Sequence, residues 1–442
     1  MNKLIKGVLK YIRLLLYSVI FAIQKSKYTR MINFNKFTLK NGLKVIVHKD
    51  ETTPIVAFNM LYDVGARDEN ENQTGFAHLF EHLMFGGSVN IPDFDTPLQK
   101  VGGDNNAFTS NDITNYYITL PKDNLETAFW LESDRMLSLA FTDKSLEVQR
   151  NVVIEEFKQN YLNQPYGDVW LLLRPLAYRK HPYKWATIGK KVEHIEDAKM
   201  SDVKAFFYKH YLPNNAILTI AGNVELDEVK TLAEKWFSTI PSGEVAERNL
   251  PKEPQQTEAR RLEVERDVPA NTIYKAYQMC AKNHPDFYAT DLLSDILSLG
   301  KSSRLYTQLV KEQKLFSELN AYVLGSFDEG LFIISGNLSE GIDFEKAEKA
   351  IITEIDKIIS ELVDDNELLK VKNKIESTSE FSDTSVLNKA MNLSFAELLG
   401  DANDVNLEAK KYEKVTKEDI NRVAKKVLAE SNCSTLIYKK KV

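Results

Sequence analysis

The sequence predicts an α+β fold built twice over. Three observations carry that expectation. Short β-branched strands alternate with long helical patterns along the chain. A polar stretch at 241–260, punctuated by Pro241, Gly243, Pro251 and Pro254, splits the remainder into two parts of about 200 residues each. One helix–loop–strand unit also recurs at a constant offset of 217 residues. Ser201-Asp202-Val203-Lys204-Ala205-Phe206-Phe207 is echoed by Glu418-Asp419-Ile420-Asn421-Arg422-Val423-Ala424. Each leads through an Asn-bearing loop, Asn214-Asn215 or Ser431-Asn432, into a β-branched strand. A similar offset sets 291–300 against the helix that ends at Gly86, which favours an internal duplication.

The elements follow in order. Alternating residues on either side of Asn41-Gly42 predict a β-hairpin across 37–47. Residues 55–62 read as a buried strand, 74–85 as a helix and 104–120 as a β-rich segment ending in Asn115-Tyr116-Tyr117. Long helical patterns cover 124–139 and 142–162, and a helix at 201–211 leads into a strand at 216–220. The expected organisation is therefore an extension at 1–30, a domain at 31–240, a connection at 241–260 and a second domain at 261–442.

Residues 1–30 are set apart by composition. Lys3, Lys6, Lys10 and Arg13 precede an apolar run at 14–23, and no acidic residue occurs before Asp50. That run is half of the ~20 residues a membrane helix needs. The order of charge and apolar residues suits a signal peptide, but no small-x-small cleavage site follows. A basic helix at a membrane surface and an unstructured extension are the other two readings. Any membrane contact would be through this stretch alone. Cytoplasm and periplasm both stay open.

Composition excludes several classes. A net charge of −6, from 57 basic and 63 acidic side chains, gives no overall pull toward nucleic acid. Cys280 and Cys433 are too few for a disulfide scaffold or a four-thiolate metal site. No phosphate-cradling loop appears, so ATP dependence is not expected.

Histidine is scarce, at seven residues, yet two stand four apart in His78-Leu79-Phe80-Glu81-His82. On a helix, positions i and i+4 share a face, so both imidazoles can reach one ion. Zinc suits such ligands, and a catalytic site keeps a position open for water, whose pKa falls toward ~7. Glu81 beside His82 can take that proton as general base. The H-x-x-E-H order is the inverse of the commoner zinc-peptidase motif. A third ligand is needed from a second rigid element. The predicted helix containing Gln149-Arg150-Asn151-Val152-Val153-Ile154-Glu155-Glu156 offers two adjacent carboxylates, between which spacing does not choose. The other five histidines do not fall at ligand spacing; His181, in His181-Pro182-Tyr183, reads as a structural turn residue.

These motifs resemble the pitrilysin/insulinase family of zinc metallopeptidases, and more closely its mitochondrial processing peptidase-like branch. The similar segments are Gly75-Phe76-Ala77-His78-Leu79-Phe80-Glu81-His82-Leu83-Met84-Phe85, the stretch from Gly102-Gly103 through Asn115-Tyr116-Tyr117, Arg150 to Glu156, and Ser303-Arg304-Leu305-Tyr306. The likeness runs in order from about residue 33 to the C-terminus. It implies two homologous α/β-sandwich domains, each an antiparallel-rich sheet packed by helices, forming a clamshell. It implies one zinc ion held by His78, His82 and Glu156, with Glu81 as base and Gln149 behind the ligands. Many relatives carry an acidic residue where Gln149 stands. It further implies that the segment 104–110 is an edge strand to which an extended peptide substrate adds. Asn106, Ala107 and Phe108 are the expected substrate contacts, with core packing the alternative role for Phe108.

The duplication supplies a check. With Gly86 set against Gly300, the positions opposite His78, Glu81 and His82 are Leu292, Asp295 and Ile296, so only the first half is expected to bind metal. One departure from the family pattern matters. Members that work alone carry an Arg and a Tyr seven residues apart in the second half, which hold the substrate carbonyl. Here Val310 and Ser317 occupy those places, and Arg304 and Tyr306 are out of register. The expectation is a zinc endopeptidase of peptides and unfolded segments that pairs with a paralogous subunit supplying the Arg/Tyr pair. The alternative is a non-catalytic structural or peptide-binding subunit of the same fold.

Overall fold

A computed structural model describes residues 31–245 and 247–441; the expectations for residues 1–30 lie outside the described residues. Six strands form the first sheet: β1 (Asn35–Thr38), β2 (Lys44–Lys49), β3 (Ile55–Tyr62), β4 (Asp104–Thr109), β5 (Thr114–Pro121) and β6 (Ala216–Gly222), in the order β1-β2-β6-β3-β5-β4. All neighbours are antiparallel except β2 and β6. The predicted hairpin is β1–β2. Gly42 closes it at φ +89°, where a side chain would also strike Asn214.

Side-chain alternation gives this sheet two different faces. Phe58, Met60 and Tyr62 of β3, with Tyr116, Ile118 and Leu120 of β5, enter a large core shared with the helices Phe76–Leu83, Leu125–Leu137, Asp143–Phe157, Met200–His210 and Leu226–Phe237. Ala57 and Asn59 point to the opposite face.

The second sheet contains β7 (Arg260–Arg266), β8 (Thr272–Gln278), β9 (Phe316–Leu324), β10 (Leu331–Leu338) and β11 (Cys433–Lys440), in the order β7-β11-β8-β10-β9. This is the order of the first sheet without β1, and again only one pair, β7–β11, is parallel. The 217-residue offset read from one helix–loop–strand unit recurs in three strand pairs. β3 and β8 start at Ile55 and Thr272, β5 and β10 at Thr114 and Leu331, and β6 and β11 at Ala216 and Cys433.

Each half covers the far face of the other's sheet. Helix Val169–Ala177, from the first half, packs Val169, Leu173 and Ala177 against Ala276, Ile333 and Leu436 of the second sheet. Its counterpart 217 residues on, Val386–Leu399, packs Val386 and Ala390 against Ala57 and Ala221 of the first. The small side chains of Ala57 and Ala221 let that helix approach closely. Its polar residues are satisfied in place. Ser394 accepts from Asn59 Nδ2 at 3.0 Å and lies 2.7 Å from Thr219 Oγ1, while Lys389 Nζ meets Asp50 Oδ2 at 2.6 Å. The β9–β10 turn completes the join, where the Phe327 amide donates to Asp112 at 3.0 Å and Arg67 lies over the Phe327 ring. From Phe34 onward the chain is accordingly one packed unit.

Among its described residues, the stretch 241–260 has no regular structure up to Arg260, but it is tied down. Arg248 pairs with Asp63 and Asp68. Glu253 accepts the amides of Arg179, Lys180 and His181. Among the described residues, no helix is long and apolar enough to cross a membrane.

Candidate metal centre

The motif helix, Phe76–Leu83, is two turns long. Phe76, Ala77, Leu79, Phe80 and Leu83 are buried, which turns His78, Glu81 and His82 away from the core. Gly75 starts the helix at φ +91°, and a Cβ there would lie 2.6 Å from the Ile188 carbonyl oxygen. Both conformation and space therefore require glycine. Gly75→Ala is expected to destabilise the chain by about 2 kcal/mol or more, measured as a lowered urea midpoint at unchanged slope.

The second element is helix Asp143–Phe157, started by a reciprocal cap between Thr142 and Ser145. Leu146, Val153, Ile154 and Phe157 bury its inner face. That phase sends the two adjacent carboxylates in different directions. Glu155 points to solvent, 68% exposed and paired with Lys158 at 2.9 Å. Glu156 turns to the motif helix, its Oε2 lying 3.3 Å from His82 Nε2 and 3.8 Å from His78 Nε2.

The imidazoles stand edge to face at 85°, with ring centroids 4.8 Å apart. Candidate donor atoms of His78, His82 and Glu156 all lie within 4.8 Å of one another. Ligands on a tetrahedral zinc ion at about 2.0–2.1 Å are separated by roughly 3.3–3.5 Å, so this set fits such an ion. Among the described residues it is the one group of three or more His, Cys, Asp or Glu side chains that could hold a metal. Burial pushes the His78 imidazole down to about 4, against the opposing pull of Glu156, so it is neutral at pH 7, the form that ligates. His82 lowers the Glu156 carboxyl by hydrogen bonding, more than burial raises it.

Glu81 lies on the other side of the motif helix from the core and beside Thr109, at the end of β4. Burial raises its carboxyl while Thr109 and His82 lower it, and burial prevails. A carboxylate with raised proton affinity, next to a metal-ligand cluster, suits a proton acceptor.

β4 is the outer strand of its sheet. Ser110 donates to Ile113 at the hairpin, and the register pairs Phe108 with Asn115 and Asn106 with Tyr117. By antiparallel alternation, Asn106 and Phe108 direct their main-chain groups to β5, while Asn105, Ala107 and Thr109 direct theirs to the open edge. The Ala107 amide is accordingly bonded to the Asn106 side chain, at 2.8 Å, rather than to β5. Ala107 packs its methyl against the core shared with the motif helix. Phe108 does not pack in the core; it is 40% exposed on the opposite face of the sheet. Thr109, which sequence reasoning passed over, is the residue of this edge that lies beside Glu81.

The remaining candidates are placed as follows. Gln149 lies near Gly86, at the end of the motif helix, with no hydrogen bond to either imidazole. Val310 packs against the second core, and Ser317 is the second residue of β9, its hydroxyl donating to the Asn337 carbonyl at 3.3 Å. Arg304 is engaged by Glu367 through two hydrogen bonds of 2.9 and 2.6 Å. His181 is 3% exposed between the Tyr183 amide and Asp328, a structural role. Leu292 and Ile296, opposite the ligating histidines in the duplication, are fully buried in the second core.

Known proteins resemble this chain over most of its length. Residues 44–190 match the family model described as insulinase (peptidase family M16), and residues 197–375 match the one described as peptidase M16 inactive domain. The zinc protease PqqE of Helicobacter pylori is 32% identical over 358 residues, covering 79% of this chain and 80% of that protein. The probable mitochondrial-processing peptidase subunit beta of Schizosaccharomyces pombe is 26% identical over 318 residues, or 68% of this chain and 69% of that one. A crystal structure of a protease from Helicobacter pylori superposes with a TM-score of 0.87 at 29% identity, covering 92% of this chain and all of that one.

Proposed function

Since the chain belongs to the insulinase family of M16 peptidases, we propose that it is a zinc-dependent endopeptidase of peptides and unfolded polypeptide segments, and the zinc-bearing subunit of a heterodimer. The convergence of His78, His82 and Glu156 beside Glu81 carries this reading. A zinc ion held there supplies a Lewis acid that polarises a peptide carbonyl and acidifies water. Glu81 takes the proton from the attacking water and passes it to the departing amine. The outward main-chain groups of Asn105, Ala107 and Thr109 add an extended peptide to the sheet edge, with Asn106 and Phe108 flanking it. Since main chain is bound to main chain, selectivity for side chains is broad, and the substrate must be extended rather than folded.

The first half, 31–240, carries this chemistry. The second half has neither a metal set nor, at Val310 and Ser317, side chains that can hold the carbonyl oxygen. A paralogous partner with an Arg/Tyr pair fills that need, and one relative is itself named as a beta subunit. The test is turnover of a quenched, unstructured peptide by the zinc-loaded full chain, alone and with a co-purified paralogue. Turnover is expected only for the pair. Full turnover by the chain alone sinks the heterodimer, and a zinc-loaded pair without turnover favours the non-catalytic subunit.

A further inference from the structure

The motif helix cannot cap itself. Eight residues are far too few to hold a helix in isolation, and its first amides have no partner inside it. Serine, threonine, aspartate or asparagine at the position before the first turn would ordinarily accept one of them. That position is Gly75, where the left-handed backbone and the 2.6 Å approach of the Ile188 carbonyl exclude any side chain. The acceptor comes instead from six residues upstream. Glu69, only 8% exposed, accepts from the Gly75 amide through Oε2 and from the Ala77 amide through Oε1, each at 2.9 Å. Ala77 immediately precedes His78.

We propose that Glu69 is a positioning residue of the metal centre: by holding the first turn of the motif helix from outside, it fixes where His78 and His82 stand. Its own loop is anchored for the purpose. Asp68 accepts the Gly65 amide at 3.0 Å and is held by Arg248, while the Trp185 indole donates to Ala66 at 2.9 Å. Thr74, next to Gly75, is fixed by His194, whose Nδ1 accepts the Thr74 amide at 3.1 Å. Without Glu69 the first turn frays, and His78, three residues into the helix, frays with it. His82, one turn further on and backed by buried Leu79, Phe80 and Leu83, keeps its place. Burial pushes the Glu69 carboxyl up to about 8, while the Ala77 and Gly75 amides that bond it pull the other way. Glutamine keeps the length but only one acceptor oxygen, so it can hold one of the two amides.

This role rests on the metal-centre reading, and the experiment separates the two. Amide hydrogen exchange is measured on the zinc-free full chain, and zinc affinity by competition with a chelator. In Glu69→Ala, exchange across 75–78 is expected to quicken by about tenfold or more, and zinc affinity to fall by about 10–100-fold, the range for groups that orient ligands. Glu69→Gln, which keeps one of the two acceptor oxygens, is expected to recover part of both losses. If Glu69→Ala does not fold, Glu69→Asp carries the test, because one methylene fewer leaves the carboxyl short of both amides. A folded Ala or Asp variant with native exchange and native zinc affinity overturns the role, as does a Gln variant no better than Ala. A native chain that binds no zinc instead overturns the peptidase reading, and leaves the exchange result standing.

Discussion

Glu81→Gln is expected to leave the chain folded and loaded with one zinc ion while peptide hydrolysis falls by about 10²–10⁴-fold, the usual range for a positioned general base. The side chain is not among the three that converge on the metal position, so metal affinity should change little. What is lost is proton transfer. Glutamine keeps the shape and a hydrogen-bonding oxygen but cannot accept a proton at neutral pH. The measurement is turnover of the quenched peptide by the assembled pair, with zinc content read on the same sample. His82→Ala is the contrasting variant, since removing a ligand should remove the metal along with the activity. Unchanged hydrolysis by zinc-loaded Glu81→Gln refutes the assigned role. The failure of both variants to bind metal would instead show that Glu81 is itself part of the ligand set.

Lys389→Ala is expected to cost about 3–5 kcal/mol of stability, although residue 389 lies in the opposite half from the metal centre. Lys389 belongs to the helix that crosses onto the first sheet, and its ammonium meets Asp50 at 2.6 Å with the two side chains 5% and 6% exposed. Removing one partner strands the other as a buried charge. Removing both, in Lys389→Met with Asp50→Leu, should recover much of the loss, because an apolar pair fits where an ion pair was. Equilibrium unfolding of the zinc-free chain reads both. The pair also sets an acid limit. Hydrogen bonds from Lys389 and Thr52 hold the Asp50 carboxyl well below its ordinary 3.8, outweighing the opposing effect of burial. Since the folded value lies below the unfolded one, this contribution is fully present above about pH 4 and is lost as the pH falls below it. Asp50→Asn should remove that part of the acid sensitivity; an unchanged acid midpoint would show that the crossing helix is held by its other contacts.

Much of the architecture is legible in the sequence. The hairpin around Asn41-Gly42, the strands at Ile55–Tyr62 and Ala216–Gly222 and the helix Met200–His210 all follow from periodicity and turn chemistry, which act over a few residues. The duplication was legible for a related reason. Two copies of one fold need the same sequence of apolar and polar positions, so two matches at similar offsets were enough to find a repeat that three strand pairs follow at 217 residues. The H-x-x-E-H motif was legible because a helix converts a spacing of four into one shared face.

The sequence by itself determined the elements, their repetition and the chemistry available to one helix. The tertiary structure decided what those elements meet. It turned Glu156 rather than Glu155 toward the imidazoles, because the buried face of Asp143–Phe157 fixes the rotation of that helix. It directed Ala107 and Thr109 to the open edge and Asn106 and Phe108 away from the motif helix, because pairing with β5 sets the phase of β4. It brought Glu69 under a helix whose first residue has no side chain to cap it. It also exchanged Val169–Ala177 and Val386–Leu399 between the halves, since a sheet has two apolar faces and each half's remaining helices cover only one. Local spacing reports what a residue can do within a turn or a strand. Contacts between residues hundreds of positions apart depend on burying those faces together, and no local pattern encodes them.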